Sequence, residues 1–128
     1  MPSASNTQPS PTAGTGNSAL DTFFKIADLW SLSIEQQIAL LGSPARSTFY
    51  KWRKEGGLLS TDTEERISHL VSIFKALQIV VPEPKAADAW IHRANRYFGG
   101  RSALNVMLDG KLTDIYAVRV YLDAQRGG

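Results

Sequence analysis

An all-α fold with an N-terminal helix-turn-helix unit packed against a C-terminal helical unit follows from three features of the chain. Apolar residues recur at three- and four-residue spacing in several separate stretches, which is the period of one helix face. Ser33 with Gln36 and Thr61 with Glu64 have the spacing of capping boxes, in which a hydroxyl and a side chain three residues on satisfy each other's free backbone N–H groups. Gly and Pro sit between the periodic stretches, at Gly42-Ser43-Pro44, Pro82-Glu83-Pro84 and Gly99-Gly100, where helices end.

Residues 1–18 are Pro, Ser, Thr, Gly, Ala and Asn or Gln after Met1, with no charge and no large apolar side chain. They cannot bury enough surface to offset the entropy of ordering, so a disordered tail is expected. From Ala19 to Leu32 the apolar residues Leu20, Phe23, Phe24, Ala27 and Trp30 build one helix face, with Ser18 or Asp21 as candidate cap. Ser33 opens a second helix whose Ile34, Ile38 and Leu41 face inward and which ends at Gly42. Ser43 is the expected cap of a third helix and Pro44 its first residue.

That third helix has two sides. Ala45, Thr48, Phe49 and Trp52 fall on one; Arg46, Ser47, Tyr50, Lys51 and Lys54 fall on the other, with Arg53 at the flank. Two short helices joined by a tight turn, the second exposing basic and hydroxyl groups, make a helix-turn-helix. The net charge of the chain is only +2, but Arg46 to Lys54 holds four cations and no acid. Arg46, Ser47 and Tyr50 stand where base edges or phosphates are reached, and Lys51, Arg53 and Lys54 where phosphates are met. A helical hairpin with a solvated polar face accounts for the same pattern. Reading two half-sites requires a dimer.

Glu55-Gly56-Gly57 ends the unit, and domains are expected at 19–60 and 61–128. Thr61 opens a long helix with Ile67, Leu70, Val71, Phe74 and Leu77 as its stripe, extending to about Ile79 and stopped by Pro82 and Pro84. Lys85 to Ala94 reads as a shorter helix with Ala86, Ala89, Trp90 and Ile91. Asn95 ahead of Phe98-Gly99-Gly100 signals a tight turn, after which Ser102 caps a short helix with Leu104, Val106, Met107 and Leu108. Thr113 and Asp114 start the last helix, whose inner stripe is Ile115, Val118 and Leu122.

Trp90, Asn95, Phe98-Gly99-Gly100, Leu104, Leu108-Asp109-Gly110, Val118, Leu122 and the C-terminal Gly together resemble the toxin-binding domain of the Xre/MbcA/ParS antitoxins. The resemblance covers roughly residues 62–128, and a preceding helix-turn-helix fits the same family. Ser102-Ala103 stand where the family often has a Pro. The resemblance implies a cognate toxin of RES-type fold that consumes NAD or transfers ADP-ribose, with the antitoxin's C-terminal region covering its active site. It implies toxin contacts at Trp90, Asn95, Arg96 and Arg101, and at Arg119, Tyr121, Gln125, Arg126 and the Gly128 carboxylate as candidate plugs. It also implies a homodimer within a heterotetramer or larger complex.

Catalysis by the chain itself is not expected. No nucleophile–base pair, nucleotide loop or paired carboxylates can be read from it, and without Cys there is no thiolate metal site. No cofactor or metal is expected. No apolar run approaches the ~20 residues that span a bilayer, and no basic stretch precedes an apolar one near Met1, so a cytoplasmic protein is expected. Three functions remain compatible with the residues: an antitoxin, which is also compatible with repression of its own operon; a stand-alone DNA-binding regulator; and a helical adaptor.

Overall fold

A computed structural model describes residues 17–127. Helix α1 spans Ser18–Leu29, α2 Ile34–Leu40, α3 Arg46–Glu55, α4 Thr61–Val80, α5 Pro84–Trp90, α6 Ala103–Met107 and α7 Leu112–Gln125, with a single 3-10 turn at Arg96–Phe98. Of the expected tail, residues 1–16 lie outside the described part. Asn17 and Ser18 lie within it: the Asn17 side chain accepts from the N–H groups of Ala19 and Leu20, at 2.9 and 3.2 Å, and Ser18 is the first residue of α1. The cap of α1 is therefore Asn17 rather than Ser18 or Asp21. A side-chain acceptor one residue outside the helix reaches the free donors that one inside it cannot.

The spine is α4. At ~1.5 Å per residue its 20 residues run about 30 Å, long enough to pack against α1, α5 and α7. Ile67, Leu70, Ile73, Ala76 and Leu77 are buried along it. Its cap is Ser60, one residue before the expected Thr61, and Ser60 Oγ accepts from Thr63 N–H at 3.1 Å. The Ser60 hydroxyl donates to Thr63 Oγ1, whose own hydroxyl donates to the Leu41 carbonyl at 3.2 Å. The start of the spine is thereby tied to the end of α2.

The α2 capping box forms as expected: Gln36 N–H donates to Ser33 Oγ and Ser33 N–H to Gln36 Oε1. At its other end Ser43 N–H reaches the Ile38 carbonyl and Gly42 N–H the Ala39 carbonyl, a Schellman closure with Gly42 at φ 98. Ser43 is used up in this closure, itself at φ 60, so it does not cap α3. The residue before α3 is Ala45, without a side-chain cap, and Pro44 stays outside the helix.

The core is one cluster that includes Phe23, Trp30, Leu40, Phe49, Leu70, Ile91, Met107 and Leu122. Phe24 meets Phe49 edge-on at 5.8 Å, fixing α3 against α1. Helix α5 ends at Trp90, four residues short of the expected end. The Ile91 carbonyl accepts from Leu104 N–H at 2.9 Å instead of continuing the helix, and Ala94 pairs with Ser102 in a single β-bridge. Asn95 caps the 3-10 turn through Tyr97 N–H, and Gly99 closes it at φ 68. Ser102 caps α6 through Asn105 N–H. Helix α7 begins at Leu112, just before the expected Thr113, with Asp114 accepting from Lys111 N–H at 3.0 Å. No helix among the described residues is long and apolar enough to cross a membrane.

Candidate functional surfaces

The outward face of α3 carries all six residues expected at DNA, and all are exposed. Phe49, fully buried, and Trp52, half-buried, turn inward, so the burial of the aromatic side is what presents the basic side. Two of the cations already have local partners. Arg46 Nη1 lies 2.6 Å from Glu35 Oε2 on α2, and that bond and charge raise the guanidinium pKa further above its ordinary value. The Arg53 guanidinium carbon lies 5.8 Å from the Phe24 ring centre. Lys51 and Lys54 form no salt bridge among the described residues. Glu35 is a residue that the spacing of the basic helix gave no reason to single out.

The second surface is built where α5, the 3-10 turn and α7 meet. Trp90 and Tyr121 lie near-parallel with ring centres 6.1 Å apart. Tyr97 and Phe98 close on Tyr121 at 4.3 and 5.4 Å. Tyr97 is the most exposed of the four, at 66 %. It is not among the contacts expected from the sequence, and neither is its neighbour Phe98, which enters there through the turn and the family resemblance. The joined rings leave Tyr97 open to solvent, and exposed aromatic rings are enriched at protein interfaces.

The remaining expected contacts separate into two groups. Asn95 and Arg101 serve the local structure. The Asn95 side chain caps the turn, and Arg101 forms a two-pronged pair with Asp109, at 2.8 and 3.0 Å, while donating to the Asn105 carbonyl at 2.9 Å. The pair raises the Arg101 pKa and lowers that of Asp109, the hydrogen bond being the main cause in each case. Arg119 is drawn inward: Nη1 donates to His69 Nδ1 at 2.8 Å and Nε lies 3.6 Å from Asp123. Burial first, then the Arg119 charge, pushes the His69 pKa below its ordinary 6.5, with Glu65 pulling the other way. Arg96, Gln125 and Arg126 are exposed, and neither Arg has a salt-bridge partner among the described residues. Arg119, Asp123, Arg126 and Gly127 line an open depression at the end of α7. Gly128 lies outside the described residues. No group of three or more His, Asp or Glu among the described residues is arranged to hold a metal.

Two family models match the chain. One, described as the antitoxin Xre-like helix-turn-helix domain, matches residues 15–72. The other, described as the antitoxin Xre/MbcA/ParS C-terminal toxin-binding domain, matches residues 76–128. The seam between them falls inside α4, the helix that packs on both halves. A protein of Sinorhizobium fredii (strain NBRC 101917 / NGR234), described as uncharacterized protein y4oB, is 60% identical over 109 residues, covering 85% of this chain and 84% of that protein. No solved structure matches.

Proposed function

The chain belongs to the Xre/MbcA/ParS antitoxins, and from that premise we propose that it neutralises a RES-type toxin, one that consumes NAD or transfers ADP-ribose, as the antitoxin of a type II pair. The family is one of antitoxins and not of enzymes, and its C-terminal domain implies a toxin as partner. The toxin's active site is blocked by the C-terminal end of α7. The observation that carries this is the change in burial along α7: Leu122 is 1% exposed and the last buried residue, and every described residue beyond Asp123 is exposed. The end of the helix is thus anchored by the core on one side and free to enter a cleft on the other. Arg126 brings a cation suited to a site that binds substrate phosphate. An interface of roughly 1,600 Å² would be usual for such a complex. The reading puts the pair in the cytoplasm, where NAD and operator DNA are found, with the chain as a homodimer in a heterotetramer or larger assembly.

The test is a chain truncated before Ala124, co-expressed with the toxin. Loss of protection with the toxin still captured supports blocking by the tail. Full protection by the truncated chain refutes it. NAD consumption by the toxin, measured with and without the full chain, separates the RES chemistry from any other toxin activity.

A second reading, compatible with the first, is repression of the chain's own operon. The uninterrupted basic face of α3 supports it, since Arg46 to Lys54 includes no acid. A gel shift with DNA from upstream of the gene tests it: binding no tighter than to unrelated DNA ends this reading.

A further inference from the structure

Helix α7 breaks the pattern of a surface helix. Its inner stripe, Ile115, Val118 and Leu122, is buried in the core. Its exposed residues are Thr113, Tyr116, Ala117, Val120, Ala124 and Gln125, and none of them carries a charge. The three charges of the helix lie on its flanks and are engaged. Asp114 holds the Lys111 N–H, and Arg119 is bonded to His69 and near Asp123. The other long helices of the same chain meet water differently. Helix α3 exposes Arg46, Lys51, Arg53, Lys54 and Glu55, and α4 exposes Asp62, Glu64, Glu65 and Lys75.

A helix that is apolar on its outer side as well as its inner one is normally covered on both. Tyr116 and Val120, one turn apart, are 49% and 45% exposed. Ala117 and Ala124 lie on the same side and let another backbone approach closely. Tyr121 flanks this side and carries the exposed Tyr97 ring at 4.3 Å, so large aromatic groups continue the stripe along one border.

We propose that this outer face of α7, with Tyr116 and Val120 as anchors, is where the body of the toxin docks, and that the toxin presents an uncharged, apolar helix or groove to it. The inference rests on the antitoxin reading and adds the docking surface to it: the side of α7 supplies affinity and its end supplies the block. The occupant follows from position and charge. The face lies wholly within the residues 76–128 that match the toxin-binding model, and a surface with no cation offers nothing to phosphate.

The experiment uses full-length chains and the purified product of the reading frame adjacent to this chain's own, with binding followed by titration calorimetry. Val120→Glu and Tyr116→Ala are compared with Ser68→Glu, an exposed position on α4 away from this face. Helicity and thermal midpoint are checked for each, and Tyr116→Ala, which removes a half-exposed ring resting on His69 at 5.3 Å and introduces no charge, serves if Val120→Glu fails to fold. The expected result is binding at least about tenfold weaker for both α7 variants and unchanged for Ser68→Glu. Wild-type affinity in both α7 variants overturns the docking face and leaves the antitoxin reading standing. Conversion of a dimer to a monomer with toxin affinity intact also overturns it, because the face would then belong to a second copy. Failure of the wild-type chain itself to bind overturns both readings.

Discussion

Arg119 Nη1 donates to His69 Nδ1 at 2.8 Å, joining the last helix to the spine across fifty residues of sequence. An arginine can only donate, so His69 accepts and is neutral, with its proton on Nε2. The groups facing it are Glu65 on its own helix and Tyr116 and Arg119 on α7, with Asp123 beside Arg119 at 3.6 Å. Burial and the Arg119 cation lower its folded pKa, so just below 6.5 the unfolded chain binds more protons than the folded one. Stability is then greatest above 6.5 and falls as the pH drops through the lowered folded value. The expected outcome is a thermal midpoint that declines from about pH 7 to about pH 5, with His69→Gln, which accepts from Arg119 at any pH, declining less. Identical profiles for the two chains would show that the contact carries no stability.

Ser31 makes a separate prediction about backbone strain. Ser31 N–H reaches the Asp28 carbonyl and Leu32 N–H the Ala27 carbonyl, the same closure that ends α2, but here the left-handed residue is Ser31 at φ 55. A residue with a Cβ costs about 1 kcal/mol more than glycine in that conformation. Ser31→Gly should therefore raise the free energy of unfolding by about 1 kcal/mol, read from urea midpoints. Gly42→Ala should lower it by at least as much, because a Cβ there would stand 3.2 Å from Arg66 Nε and Asp62 Oδ2 as well as in a strained φ. A Ser31→Gly chain no more stable than wild type would mean that the strain is relieved elsewhere.

What the sequence makes legible is local. The Ser33–Gln36 box and the Ser102 cap are complete within four residues and form as their spacing implies. The Thr61–Glu64 pair has the same spacing, but the cap is Ser60, which accepts from Thr63 N–H, and the Thr63 hydroxyl ties that turn to the Leu41 carbonyl 22 residues away. Ser43 reads as a cap and is instead used in closing the preceding helix, a competition that residue types alone do not decide. The surfaces were less legible still. Arg101 looks free until the chain folds Asp109 back to it, and Arg119 until α7 lies on His69. Tyr97, Tyr116 and Val120 fit no periodic stripe of the core, and it is only their exposure in the fold that makes them notable.

The Glu35–Arg46 contact predicts how the basic helix responds to salt. Each phosphate neutralised by a cation adds about one unit to the salt slope of DNA binding. Arg46 is held by Glu35 at 2.6 Å, whereas Lys51 forms no salt bridge among the described residues. With DNA from upstream of the gene, Lys51→Ala should reduce the slope by about one unit. Glu35→Gln removes the competing carboxylate and should tighten binding and steepen the slope. Anisotropy titrations at several salt concentrations read both. An unchanged slope in Glu35→Gln would mean that Arg46 meets no phosphate.

Structure and recognition are separable at the loop before α6. Arg101 grips Asp109 with two hydrogen bonds and the Asn105 carbonyl with a third, so it spans the whole of α6. If its contribution is to hold that short helix in place, breaking the pair from either end has the same effect. Arg101→Ala and Asp109→Asn should both speed hydrogen exchange through residues 102–109, and both should weaken toxin capture to a similar degree. Asp109→Asn is the informative one, because it leaves the Arg101 cation present and free to meet a partner. If Asp109→Asn captures toxin as the wild type does while Arg101→Ala does not, and exchange is unchanged in both, then Arg101 contacts the toxin directly and its pairing with Asp109 is incidental.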